Sequence, residues 1–160
     1  MKILAVQSRM GIGDTVIFLP FIKALSKKFN SPISILVKEN SKANQYLHQT
    51  RYIDKILILE RDNKTNNRHG GFFGIFKLAK DLKKYKFDKI FIFNSSLRFN
   101  LVAKISGIPK IYQYPLFTKN KQHIIETPKK FLKENLHLDI NEDPEVQIDS
   151  DLISKAAQKF

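Results

Sequence analysis

The stretch that decides the fold is Lys2-Ile3-Leu4-Ala5-Val6-Gln7, followed at once by Ser8-Arg9-Met10-Gly11-Ile12-Gly13-Asp14-Thr15. The first six residues form a short apolar run of the kind that makes a buried strand. The next segment is a glycine-bearing turn. From Asp14 to Phe29 the apolar residues Val16, Ile17, Leu19, Phe21, Ile22, Ala24 and Leu25 recur at helical spacing and give a broad face to bury. Strand, glycine turn and helix in that order open an α/β domain, a Rossmann-like parallel sheet with helices on both faces. Pro20 lies inside the helical stretch and is expected to kink it near Val16, because proline removes an N–H and crowds the preceding turn.

The same alternation continues down the chain. Ile33 to Val37 reads as a second strand after the Ser31-Pro32 turn, and a polar helical stretch follows from Ser41 to Gln49. Ile56 to Leu59 is a third strand, Glu60 to Gly71 a polar loop, and Phe72 to Tyr85 a surface helix with Phe73, Phe76, Leu78, Ala79 and Leu82 on its apolar side and lysines opposite. Lys89 to Phe93 is a fourth strand, Leu97 to Ser106 a helix closed by Gly107, and Lys110 to Gln113 a short fifth strand. The Phe72-Phe73 and Phe91/Phe93 clusters read as core. A last long helix is expected from Ile124 to Asn135, with Pro128 in its first turn. Residues 139–149, rich in Asp, Glu and Pro, read as a linker, and Ser150 or Asp151 caps a helix that meets no stop signal by Phe160. The expected organisation is one domain over residues 1–138, with 139–160 a linker and the start of a helix leading to a second, absent domain.

Composition narrows the class. The 160 residues contain no cysteine, which excludes a disulfide framework, a thiolate metal site and a cysteine nucleophile. At 42% hydrophobic and 11% aromatic residues the chain is too apolar to be a disordered basic tail. No apolar run approaches the roughly 20 residues of a membrane-spanning helix. The apolar start is broken by Gln7, Ser8 and Arg9 without a cleavage site, so the expected location is the cytoplasm. Residues 1–125 carry 23 basic and 7 acidic side chains, and residues 126–160 carry 5 and 8. A basic body therefore ends in a mildly acidic tail. An abundance of Lys, Ile and Asn can account for the lysine without any function, so the charge has two readings: a lysine-rich solvated surface, or an anionic partner, whether nucleic acid, phosphorylated lipid or sugar nucleotide.

The turn from Ser8 to Thr15 lies at the carboxyl edge of the sheet, where open α/β folds bind ligands. Gly11 and Gly13 let a ligand approach the main chain, and free N–H groups at the helix start favour anions. Gly11-x-Gly13 with Glu39 after the second strand also fits the start of a dinucleotide fingerprint, but Val16 replaces the third glycine. Asp14 has two readings: a helix cap, or a general base at the lip of the crevice taking a proton from a hydroxyl. The histidines show no metal-ligand spacing, so no metal site is expected.

Lys2 to Phe29, with its Ser-x-x-Gly-x-Gly-Asp turn, closely resembles the N-terminus of the family 9 glycosyltransferases, the ADP-heptose:lipopolysaccharide heptosyltransferases. Weaker similarity follows in order through Phe87-Asp88-Lys89-Ile90, Ser96-Leu97-Arg98, Ala103 to Pro109 and His123-x-x-Glu126. The resemblance implies the acceptor-binding half of a two-domain GT-B enzyme, with Asp14 as the base and inversion at the anomeric carbon. It implies no cofactor and no metal, a nucleotide-sugar donor such as ADP-heptose held mainly by the second domain, and a lipopolysaccharide core acceptor at the cytoplasmic face of an anionic inner membrane. It also makes Gly11, Gly13, Arg61, Lys64, Arg68, Arg98 and His123 candidate acceptor contacts. Asn94-Ser95 and Gln113-Tyr114 depart from the family pattern and bear on acceptor identity. The isolated chain is expected to lack transferase activity. The other classes are a basic module for nucleic acid or anionic membrane, or a dinucleotide-binding Rossmann enzyme; nucleic acid is disfavoured because the aromatics read as core rather than as stacking platforms.

Overall fold

The computed structural model describes residues 1–9, 11–62, 64–118 and 123–146, with isolated positions beyond. Five strands form one fully parallel sheet: β1 (Ile3–Val6), β2 (Ile33–Lys38), β3 (Ile53–Leu59), β4 (Lys89–Ile92) and β5 (Lys110–Gln113), in the spatial order β3-β2-β1-β4-β5. β1 is the hub, with Ile3 to Val6 set beside Ile33 to Leu36 on one side and Lys89 to Ile92 on the other. All four of its residues are buried, and they alternate between two cores. Ile3 and Ala5 pack under α1 (Ile12–Phe29) and α5 (Glu126–Leu136), while Leu4 and Val6 pack under α3 (Phe73–Lys83) and α4 (Leu97–Ile105). The Rossmann-like expectation is met, with helices on both faces.

The first core is aromatic. Phe91 stacks on Tyr112 at 4.6 Å with the rings nearly parallel, and Phe131 of α5 meets Phe93 and Tyr114 edge-on. Pro128 falls in the first turn of α5, as expected, and is buried. Gly107 has φ 78°, a left-handed conformation that glycine alone adopts without strain, and it closes α4 as read from the sequence.

Several expectations need correction. α1 starts at Ile12, two residues early, and runs as one helix through Pro20, which is buried on its inner face. The Ser41–Gln49 stretch holds only a single helical turn, α2 (Ala43–Tyr46), which follows a short turn at Glu39–Ser41. β3 is longer than Ile56–Leu59 by three residues. Phe72 and Phe73 are 69% and 75% exposed, not core, and Phe76 is exposed too. The buried stripe of α3 is Gly74, Ile75, Leu78, Ala79 and Leu82, so the helix is turned about its axis relative to the sequence reading and its first aromatics face out. Residues 139–146 form neither helix nor strand, and they dock on α1: Ile140 is buried in the first core and Glu142 pairs with Lys23 and Lys27. The expected Ser150 or Asp151 cap lies outside the described residues.

Phe91→Ala is expected to cost about 3–5 kcal/mol, since it opens a cavity at the junction of β4, β5 and α5. Phe72→Ala should change stability by no more than about 0.5 kcal/mol. Urea unfolding midpoints at constant slope check both.

Candidate functional site

β1 leads into α1 on one face and the adjacent β4 leads into α4 on the other, so the chain parts at the carboxyl ends of these strands. The crevice there measures about 1010 Å³. Each strand sends residues to it: Ser8 and Arg9 after β1, Lys38 from β2, Arg61 and Asp62 after β3, Asn94 to Ser96 after β4, and Phe117 beyond β5. Asn94 Nδ2 donates to Ser8 Oγ at 3.0 Å across the parting.

Gly11 sets the entrance. Its φ of 100° and ψ of 160° suit glycine, and it takes the position before the first turn of α1. Asp14 is therefore the third helical residue and not the cap; among the described residues no side chain caps this helix. The Asp14 carboxylate is half-exposed, lines the crevice, and makes no hydrogen bond or ion pair among the described residues. Beside it, apart from the adjacent residues and the helix's own backbone, nothing among the described residues lies within 4 Å of the place a side chain on Gly13 would start, which leaves room for a ligand over the helix N-terminus.

The cationic residues divide into two groups. Arg61 and Lys38 reach the crevice and share Asp62, whose carboxylate accepts from Lys38 Nζ at 3.0 Å and lies 3.8 Å from Arg61 Nε. That hydrogen bond from Lys38, reinforced by the neighbouring Arg61, holds Asp62 below the usual carboxylate range. Lys64 is exposed further along the same loop and does not line the crevice. Arg68 faces away: its Nε and one terminal nitrogen bind Asp81 of α3 at 3.1 and 3.0 Å. Arg98 points back under the loop, donating to the carbonyls of Gly71 (2.7 Å) and His69. Burial, with Arg61 nearby, draws its guanidinium below its ordinary value. His123 organises the start of α5: its Nδ1 accepts the N–H groups of Ile125 and Glu126 at 3.3 Å, and its own N–H donates to Thr127 Oγ1 at 2.8 Å. Of the residues singled out from sequence, the crevice thus gathers Asp14 and Arg61, with Gly11 and Gly13 at the entrance.

Arg9, Lys38 and Asn94 reach the crevice without having been singled out as ligand contacts. The strand-end rule could have found them, since each follows or ends a parallel strand. Gln113 ties the end of β5 to the turn after β4: its Nε2 donates to the backbone carbonyls of Asn94 (3.2 Å) and Ser96 (2.8 Å), and its Oε1 accepts from Asn100. Among the described residues no cluster of three His, Asp or Glu could hold a metal ion, and no helix is long and apolar enough to cross a membrane.

The glycosyl transferase family 9 protein of Veillonella parvula DSM 2008 superposes with a TM-score of 0.71 at 18% identity, over 98% of this chain and 48% of that one. This chain has the fold of a family 9 glycosyltransferase half. The ADP-heptose lipopolysaccharide heptosyltransferase II of E. coli gives 0.69 at 14% identity, over 100% of this chain and 50% of its own. The E. coli heptosyltransferase WaaC with ADP-2-deoxy-2-fluoro heptose gives 0.58 at 12%, over 89% and 50%. The chain spans about half the length of each. No family model and no curated protein sequence matches it.

The loop from Glu60 to Gly71 is held at its base by His69, which is buried: its Nδ1 accepts the Glu60 N–H at 3.1 Å and its Nε2 meets Asp81 Oδ2 at 3.0 Å. The hydrogen bonds from Arg68, and then from His69, keep the Asp81 carboxyl far below its ordinary range. Asp81→Ala should cost about 1–3 kcal/mol by leaving a buried donor unpaired. Because the folded pKa is depressed, this stabilisation is present above about pH 4 and is lost as pH falls through the folded value. Denaturation of wild type and variant from pH 7 to pH 2 should show the two curves converging in acid.

Proposed function

We propose that the chain is the acceptor-binding half of an inverting sugar transferase that moves a heptose or related sugar from a nucleotide diphosphate to a lipopolysaccharide core. The observation that carries this reading is the Asp14 carboxylate, unpartnered among the described residues and set on the first turn of α1 inside a polar crevice that also holds Arg9, Lys38 and Arg61. In the proposed step Asp14 takes the proton of an acceptor hydroxyl as that oxygen bonds to the anomeric carbon. The bond from that carbon to the diphosphate oxygen breaks, its electron pair leaves with the nucleotide, and configuration inverts. Arg61 and Arg9 suit the carboxylate and phosphate groups of such an acceptor, because a planar guanidinium can bind either through two parallel hydrogen bonds. Arg98 serves by holding the loop that carries Arg61.

The reading needs a second, donor-binding domain for the nucleotide sugar and calls for no metal or cofactor. It places the work on the cytoplasmic side of an anionic inner membrane, where a lipid-linked acceptor would be presented. Val16 at the third fingerprint position, in line with Asp14 at the helix start, weighs against a dinucleotide ligand.

In a two-domain version, Asp14→Asn should lower kcat about 10²- to 10⁴-fold while leaving donor affinity unchanged. Turnover with ADP-heptose and a core acceptor measures the first and calorimetry the second; undiminished turnover removes Asp14 as the base. The 160-residue chain alone should show no ADP-heptose turnover, and robust release of ADP would refute the two-domain requirement.

A further inference from the structure

The outward turn of the α3 aromatics leaves an apolar ridge on the outer face of the α3/α4 layer. Phe72, Phe73 and Phe76 are all exposed, and Leu97, Leu101 and Ile105 of α4 add a partly exposed stripe at a four-residue interval. The two hydrogen bonds from Arg98 to the carbonyls of His69 and Gly71 tie the first turn of α4 to the loop that enters α3, and the two helices pack side by side in one layer. Exposed aromatic and aliphatic side chains gathered on one layer in this way mark an interaction surface. Lys77, Lys80 and Lys83 on α3 and Lys104 on α4 lie on the same layer and make no ion pair among the described residues.

We propose that this ridge inserts into an anionic lipid surface, with the three phenylalanines as the wedge and the four lysines lying over the headgroups. Aromatic and aliphatic residues flanked by lysine are what an interfacial helix needs: the rings leave water while each ammonium stays at a negative surface. Charge selects this occupant over a second copy of the chain, since each copy carries +13 and would bring its lysines against the other's. Ring geometry selects it over nucleic acid. Phe72 meets Phe73 and Phe76 edge to face, at 77° and 71°, so the rings close on one another rather than offering parallel free faces to bases. The ridge also starts at the crevice rim, since Leu97 lines the crevice as well. For its purpose the inference rests on the transferase reading: an acceptor anchored in lipid would meet the crevice without leaving the bilayer.

The chain has no tryptophan, so Phe73→Trp installs a single reporter in the ridge. With vesicles of phosphatidylglycerol and phosphatidylethanolamine its emission should shift to the blue and be quenched by brominated acyl chains. Phosphatidylcholine vesicles should produce a much weaker response, and added salt should weaken the binding. Lys130→Trp, on α5 of the opposite layer, should show neither effect. The triple variant Phe72→Ser, Phe73→Ser, Phe76→Ser should bind anionic vesicles at least about tenfold more weakly with an unaltered thermal melt, since the three side chains are exposed. Four results would overturn the proposal: no response to anionic vesicles, binding that survives the triple change, a shift that grows with protein concentration in the absence of lipid, or a response to single-stranded oligonucleotide that the triple change abolishes. None of these readouts uses donor or acceptor. A failed transferase reading therefore leaves the lipid result standing, and a failed lipid result leaves turnover standing.

Discussion

A parallel strand buried on both faces imposes the architecture of this protein. β1 is four residues long and entirely apolar, and it sits in the middle of the sheet with no face open to water. Its side chains alternate into two cores, so helices must cover both sides. One chain can cover both sides only if the crossovers change direction at some point along the sheet, and here that point lies between β1 and its neighbour β4. The loops leaving those two strands diverge, and the gap between them is the crevice. The site is thus a by-product of how β1 is buried, and its chemistry comes from whichever residues follow the strand ends.

Much of this was legible in the sequence because the signals were local. The run from Ile3 to Val6, the glycine turn and the apolar periodicity of α1 needed no tertiary information, and Gly107 and Pro128 marked helix ends through their own backbone constraints. The phase of α3 was not legible. Phe73, Phe76, Leu78, Ala79 and Leu82 make a plausible stripe, but Ile75 with Leu78, Ala79 and Leu82 makes an equally regular one, and the choice depends on what packs beneath. The close approach of Gly74 to the His69 carbonyl and Arg98 decides it, because any side chain at 74 would collide with both. A glycine that faces a backbone contact fixes which way the helix is turned, and it pushes the adjacent phenylalanines outward.

Charge was the other illegible quantity, for a related reason. Arg61, Arg68 and Arg98 look alike in the sequence and fall in or near loops at the same sheet edge, yet the fold gives them different tasks. Arg68 and Arg98 are consumed by hydrogen bonds to Asp81 and to loop carbonyls, and they clasp the segment between β3 and α3. Arg61 is presented by that clasped segment. Arginine suits both tasks because its several fixed N–H groups can satisfy two acceptors at once, and only the position of acceptors in space separates a structural clasp from a ligand contact. His123 illustrates the same point, its ring nitrogen being committed to the first turn of α5.

The crevice is consequently less cationic than a count of nearby basic residues suggests. Lys38 and Arg61 meet Asp62, so an anionic group entering there exchanges with a carboxylate already in place instead of filling an empty cationic pocket. Asp62 adopts a left-handed backbone conformation and its N–H is held by Asn67, so the loop keeps that carboxylate in position without help from a ligand. An exchange of this kind favours a ligand that contacts both cations together, because only such a ligand replaces everything that Asp62 supplies. Lys38 ends β2 and Arg61 follows the adjacent β3, so the same strand-end geometry that created the crevice brings the two cations within reach of one anionic group, the position that Asp62 now holds.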